Sequence, residues 1–144
     1  MDELFADLKG KYVFNVLDDL VVFSQSVGEH EEHLREVLRR LDRAGFTLNP
    51  EVILAASEIK YLGHLLSSRG VKVLPDRVES IQRYPRPTNL RALRRFLGMV
   101  GFYARFVPEY SRKAATLHAL KKKDFPFVWD EAHQWAFDSL KRAL

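Results

Sequence analysis

The ten residues 15–24, NVLDDLVVFS, constrain the fold of this chain more than any other stretch. Two adjacent carboxylates, Asp18 and Asp19, interrupt an apolar and largely β-branched run. Asp is a poor strand former, and a carboxylate buried among Val, Leu and Phe without a partner is costly. The chain must therefore fold back here, with strands predicted over 12–17 and 20–24 and the acids at the tip between them. Two readings of the pair stay open on the residues alone. Acids are common in ordinary tight turns. Alternatively, their mutual repulsion is offset by a divalent cation, and magnesium suits such a site because it takes oxygen ligands and keeps water and phosphate oxygens as the rest of its shell.

Charge divides the chain into three. Residues 1–59 carry 6 Lys/Arg against 12 Asp/Glu, residues 60–123 carry 15 against 3, and residues 124–144 carry 2 against 4. A middle segment with a net charge of +12 suits a polyanionic partner, although a solvated Arg-rich surface gives the same count. The 47% hydrophobic content is that of a globular chain. No apolar run approaches the roughly 20 residues a bilayer span needs, so no membrane partner is expected. The acidic, amphipathic N-terminus is unlike a secretory signal or transit peptide. The chain has no cysteine, which excludes disulfides and thiolate metal sites and suits an intracellular location, cytoplasm or nucleus.

Hydrophobic spacing predicts the last turns of a helix over 2–9, a helix over 29–44 ended by Gly45, and strand-like runs at 52–54, 59–66 and 71–74. A short helix follows from Pro75-Asp76 to about Arg83, and Pro85 to Pro87 form a stiff elbow. Thr88 is the expected N-cap of a helix to about Phe106, and a further helix covers 111–122. After the loop 125–129, Asp130 is expected to cap a last helix. His30 and His33 stand three apart on the helix over 29–44 with no further ligands evident, so they are not read as a metal site.

The helix after Thr88 is the second informative element. At 100° per residue, Arg91, Arg94, Arg95, Gly98, Gly101, Phe102 and Arg105 share one arc of about 120°. Leu93, Phe96, Leu97, Val100, Tyr103 and Ala104 take the other side. A glycine inside a helix costs about 1 kcal/mol relative to alanine. Close approach by a nucleic-acid duplex would offset that cost, with Arg on phosphates and Phe102 against sugar edges. Tight packing of another helix against Gly98 and Gly101 is the alternative.

In order along the chain, these pieces resemble the reverse transcriptase of gypsy-type LTR retrotransposons and related endogenous retroviruses. MDELFADLKGKYVFNVLDDLVVFS resembles the palm segment that carries the aromatic-x-Asp-Asp motif, and EHEEHLREVLRRLDRAGFTLNP the palm helix and turn after it. IKYLGHLLSSRGV resembles the primer-grip hairpin, LRALRRFLGMVGFYARFVPEYS the thumb helix along the template–primer minor groove, and KKKDFPFVWDEAHQWAFDSLKRAL the start of the connection or RNase-H-like region. The resemblance implies an α+β fold: C-terminal palm with primer grip over 1–74, helical thumb over 75–123, and connection start over 124–144.

It implies further that Asp18 is a magnesium ligand with Asp19 beside it, and that Tyr61, Leu62, Gly63 and His64 position the primer terminus. Arg91, Arg94, Arg95, Gly98, Phe102 and Arg105 would lie along an RNA/DNA or DNA duplex. Deoxynucleoside triphosphates are a partner only of the full-length enzyme. The departures are Val16 where the family carries Tyr, and LNPEV, which lacks the Lys that commonly follows LNPx. The fingers and the palm strand with the remaining catalytic Asp lie before Met1 in the family. The expectation is a fragment that binds template–primer duplex but has an incomplete magnesium site and no polymerase activity alone. The alternatives are a non-catalytic nucleic-acid-binding module and a protein-interaction remnant. The sequence does not fix an oligomeric state.

Overall fold

In the computed structural model, residues 1–124 and 126–144 are described; Phe125, at the start of the expected loop, lies outside them. The chain forms two compact units, 1–56 and 57–144. The boundary expected near residue 75 falls inside the second.

The first unit is a hairpin on a helix. Strands β1 (Val13–Val16) and β2 (Asp19–Val22) pair antiparallel in the register Val13↔Val22 to Val16↔Asp19. Helix α1 (Val27–Arg43) starts at Ser26, whose side chain accepts from the Glu29 amide. Phe5, Leu8, Val13, Val37 and Leu41 form the core of this unit. The expected helix over 2–9 is instead a series of turns. The Phe5 and Leu8 carbonyls are bonded within these turns, while the Arg40 guanidinium donates to the Leu4 carbonyl and pairs with the Asp7 carboxylate at 2.6 Å. Nor do residues 52–54 form a strand. The Val52 amide bonds back to the Asn49 carbonyl in a turn, and Val52, Ile53 and Leu54 are exposed.

The second unit sets a three-stranded sheet beside a helical core. Strands β3 (Glu58–Tyr61), β4 (His64–Ser67) and β5 (Gly70–Val73) form an antiparallel meander. The apolar run over 59–66 thus breaks into two strands at Leu62-Gly63, both with positive φ, 47° and 79°. Helices α2 (Pro75–Gln82), α3 (Leu90–Phe102), α4 (Tyr110–Ala119) and α5 (Glu131–Arg142) follow. The cap of α3 is Asn89 rather than Thr88, its side-chain oxygen accepting from the Ala92 amide. The helix ends at Phe102, earlier than expected, and one 3-10 turn covers Ala104–Phe106. Asp130 caps α5 as expected, in a reciprocal pair with His133.

The core gathers Leu93, Phe96, Leu97 and Val100 of α3 with Ile81, Ala114, Leu117, Ala136, Phe137 and Leu140. The apolar side of α3 is buried as its spacing requires, and no helix among the described residues is long and apolar enough to cross a membrane. Both tryptophans, Trp129 and Trp135, belong to this unit, so their fluorescence reports its unfolding. Leu93→Ala should lower its stability by about 2–5 kcal/mol through the cavity left behind, read from the denaturant midpoint of that fluorescence.

Candidate nucleic-acid interface and acidic hairpin

Asp18 and Asp19 do not share one tip position. The two-residue loop of the first hairpin is Leu17-Asp18, and Asp19 already belongs to β2, paired with Val16. Side chains alternate across a strand, so Val13, Asn15, Leu20 and Val22 face the core while Phe14, Val16, Asp19 and Val21 face outward. The outward face is exposed, and Phe14 stacks on Phe23 with ring centroids 5.0 Å apart. The acids are exposed too, not enclosed by the flanking Val, Leu and Phe. Leu17 takes the left-handed φ (53°) that this tight turn needs, a conformation a branched residue adopts at a cost.

Asn15, which the sequence did not single out, is buried beside the pair on the inner face and donates to Asp2 at 2.7 Å. That bond, with Lys9 nearby, holds the Asp2 carboxyl below the usual range. Asp7 and Glu36 are lowered chiefly by hydrogen bonds from Arg40, whose own pKa is raised by them. This network ties the N-terminal turns to α1. At the other end of the hairpin the Ser24 hydroxyl meets Nδ1 of His30 (3.2 Å) and of His33 (2.8 Å), and the His33 ring stacks on Tyr12. Both histidines thus fasten Ser24, just past β2, to α1.

The donor chemistry of Asp18 and Asp19 fits a hard divalent cation, but two carboxylates do not complete its shell. Among the described residues, no group of three or more His, Asp or Glu side chains is placed to hold a metal.

In the second unit the structure brings the two other candidate sets together. The β3–β4 tip sits on the C-terminal end of α3. The Tyr103 hydroxyl donates to the Gly63 carbonyl at 2.8 Å, and the Phe102 ring lies against Gly63 so closely that an added Cβ would stand 3.2 Å from it. His64 stacks on Phe102 with centroids 5.2 Å apart, and its Nδ1 bonds to the Leu62 carbonyl. Leu62 is exposed, while Tyr61 and His64 are half-buried. Tyr103, assigned by spacing only to the buried side, is the link the sequence did not reveal. Burial raises the pKa of its hydroxyl.

Along α3, Arg91, Arg94 and Arg95 are exposed and form no ion pair among the described residues. Arg105, on the following turn, lies over the Phe106 ring. Phe102 is 56% exposed despite its contact with Gly63. The two glycines differ. A Cβ on Gly101 would stand 3.3 Å from the Tyr110 hydroxyl, so Gly101 admits α4 and is half-buried, not part of the open face. Beside Gly98 there is open space: among the described residues, nothing lies within 4 Å of where a Cβ would stand. Burial raises the Tyr110 hydroxyl pKa and lowers that of His118, with Lys121 adding to the latter; both belong to the core side of α4.

The first unit thus presents an antiparallel hairpin with two exposed acids, and the second a hairpin seated on the end of a basic helix. The family profile described as "Reverse transcriptase (RNA-dependent DNA polymerase)" matches residues 1–66. The Gag-Pol polyprotein of woolly monkey sarcoma virus is 35% identical over 129 residues, which is 89% of this chain and 8% of that protein. The retrovirus-related Pol polyprotein from transposon opus of Drosophila melanogaster is 29% identical across the whole chain and 16% of its own length. The foamy viral protease-reverse transcriptase solved with double-stranded DNA superposes on 99% of this chain with a TM-score of 0.87 at 23% identity, using 25% of its own chain. Its complex with an RNA/DNA hybrid gives a TM-score of 0.83 over 20% of that chain. The chain belongs to the reverse transcriptase family. It corresponds to a minor part of each polyprotein, between 8% and 16% of those two.

The cost of the tip at Leu17 can be read directly. Leu17 is 87% exposed and contributes little packing, so Leu17→Asn should stabilise the first hairpin by about 0.5–1 kcal/mol. Slower amide exchange across β1 and β2 is the measurement; unchanged exchange would mean that the turn carries no strain.

Proposed function

We propose that this chain is the part of a reverse transcriptase that grips a template–primer duplex, with the α3 face as its principal contact. The observation that carries this is the exposed row Arg91, Arg94 and Arg95, without ion pairs among the described residues, beside the open flank of Gly98, with exposed Phe102 at its end. Guanidinium groups without carboxylate partners are available to phosphates, and each phosphate neutralised releases counterions. A helix with no Cβ at Gly98 lets its backbone approach a groove where any side chain would hold it off. Arg105 extends the row, and Phe102 offers an apolar ring to sugar edges. Tyr61, Leu62, Gly63 and His64 form the tip that would meet the primer end. Support for a duplex partner also comes from the solved neighbours, which are complexes with double-stranded DNA and with an RNA/DNA hybrid.

For the acidic hairpin, Asp18 and Asp19 would supply two of the oxygen ligands of a magnesium centre that acts in nucleotidyl transfer. A magnesium ion there would stabilise charge on the reacting phosphate oxygens. The two acids alone leave that centre short of protein ligands, so the chain by itself is read as a duplex-binding element without polymerase activity. Deoxynucleoside triphosphates belong to the full-length enzyme.

The duplex reading is tested by fluorescence anisotropy with a recessed DNA duplex and an RNA/DNA hybrid across a salt series. Arg94→Ala combined with Arg95→Ala should weaken binding to both and reduce the slope of log K against log salt by up to about 2. Unchanged affinity and slope would remove α3 from the interface. Primer extension with magnesium should give no product from the isolated chain. Product that disappears with Asp18→Asn would overturn that reading and make this chain a polymerase in its own right.

A further inference from the structure

Within the hairpin, the tip Leu62-Gly63 has one side-chain bond, from His64 Nδ1 to the Leu62 carbonyl at 3.0 Å. It joins two strands of four residues each, and Leu62 stands at a φ of 47°. A strained tip persists only where its surroundings over-determine it. Here they are three aromatic side chains. The Tyr103 ring is 3% exposed, fixed in the helical core, and its hydroxyl reaches the Gly63 carbonyl 40 positions earlier in the sequence. The Phe102 ring closes over the place where any other residue at 63 would put its Cβ. Phe106 completes the enclosure of His64, with centroids 5.8 Å apart. Only one of these contacts is directional. Stacked rings can slide across one another, whereas a hydrogen bond of 2.8 Å fixes the carbonyl in distance and angle.

We propose that Tyr103 is a positioning residue: through the Gly63 carbonyl it fixes the Leu62–Gly63 tip to the end of α3. Tip and arginine face then meet a nucleic-acid duplex as one rigid surface, with the tip at the recessed strand end. The proposal rests on the duplex reading above and adds to it the residue that sets where the strand end lies. Arg91, Arg94 and Arg95 supply affinity; Tyr103 supplies register. Its ring does not need to touch the nucleic acid.

Tyr103→Phe keeps the ring in the core and removes only the hydroxyl. Two measurements on the whole chain test it. The first needs no nucleic acid: amide exchange at Gly63 and His64 should quicken by roughly tenfold, with the Trp-monitored unfolding midpoint nearly unchanged. Unchanged exchange overturns the proposal. The second uses a recessed duplex with a fluorescent adenine analogue either at the primer end or well inside the paired region. Tyr103→Phe should hold affinity and salt slope within about threefold while losing the signal from the end and keeping the internal one. An end signal equal to that of the unsubstituted chain overturns the positioning role.

If Tyr103→Phe lowers the unfolding midpoint, Gly63→Ala replaces it. That change presses a Cβ against Phe102 and displaces the tip from its exposed side, leaving Tyr103 in place. The same loss of the end signal is expected, and its retention overturns the role. Failure of the unsubstituted chain to bind any duplex overturns the functional reading and the strand-end role with it. The exchange measurement then still reports separately whether Tyr103 holds the tip.

Discussion

The burial of one side of α3 is the interaction on which the rest of the second unit depends. Leu93, Phe96 and Val100 are fully buried, each worth roughly 1.5–3 kcal/mol of transfer free energy, and they meet α2, α4 and α5 in a single core. No rotation of the helix about its axis can keep these residues inside and also hide Arg91, Arg94 and Arg95. The basic face is therefore the obligatory reverse of the core. A charged surface produced this way is rigid, since moving any of its arginines requires repacking the leucines and phenylalanines behind it.

The same helix end carries the β3–β4 tip. Tyr103 follows the last turn of α3 with its ring in the core and its hydroxyl on the sheet, while Phe102, one position earlier, remains largely outside. Adjacent residues thus divide two tasks, the buried one holding the tip and the exposed one presenting a ring. Gly63 is favoured twice over, by its φ of 79° and by the Phe102 ring, which stands 3.2 Å from where a Cβ would be. In the first unit the device is different. The Arg40 guanidinium and the Ser24 hydroxyl hold the strands and N-terminal turns to α1 with polar contacts, around a small core of five buried side chains. The hairpin with Asp18 and Asp19 is built on that modest base, and its outward apolar face, Phe14, Val16 and Phe23, is exposed.

Much of this was legible in the order of residues. Asp is a poor strand former, so a turn was expected at Asp18-Asp19, and the hairpin does turn there, one residue earlier, at Leu17-Asp18, with Asp19 opening β2. The 3.6-residue period of α3 separated arginines from leucines before any packing was known. Errors fell where local pattern met a tertiary competitor. The turns over 2–9 have helical composition, yet Arg40, far along the chain, engages the Leu4 carbonyl. Thr88 and Asn89 are both good caps, and only the start of the amide ladder at Leu90 decides between them. Gly98 and Gly101 look alike in sequence, but one borders open space and the other the Tyr110 hydroxyl.

By itself the sequence determined that this chain has an acidic hairpin and a basic amphipathic helix, because local sterics, charge and periodicity act within a few residues. Only the tertiary structure decided that the run over 59–66 turns at Leu62-Gly63 and is seated on the helix through Tyr103, that 57–74 belong with the helices, and that Asp19 lies on the outer strand face rather than in the turn. Those outcomes depend on which surfaces meet across tens of residues, and on register, where a shift of one position exchanges the inner face for the outer.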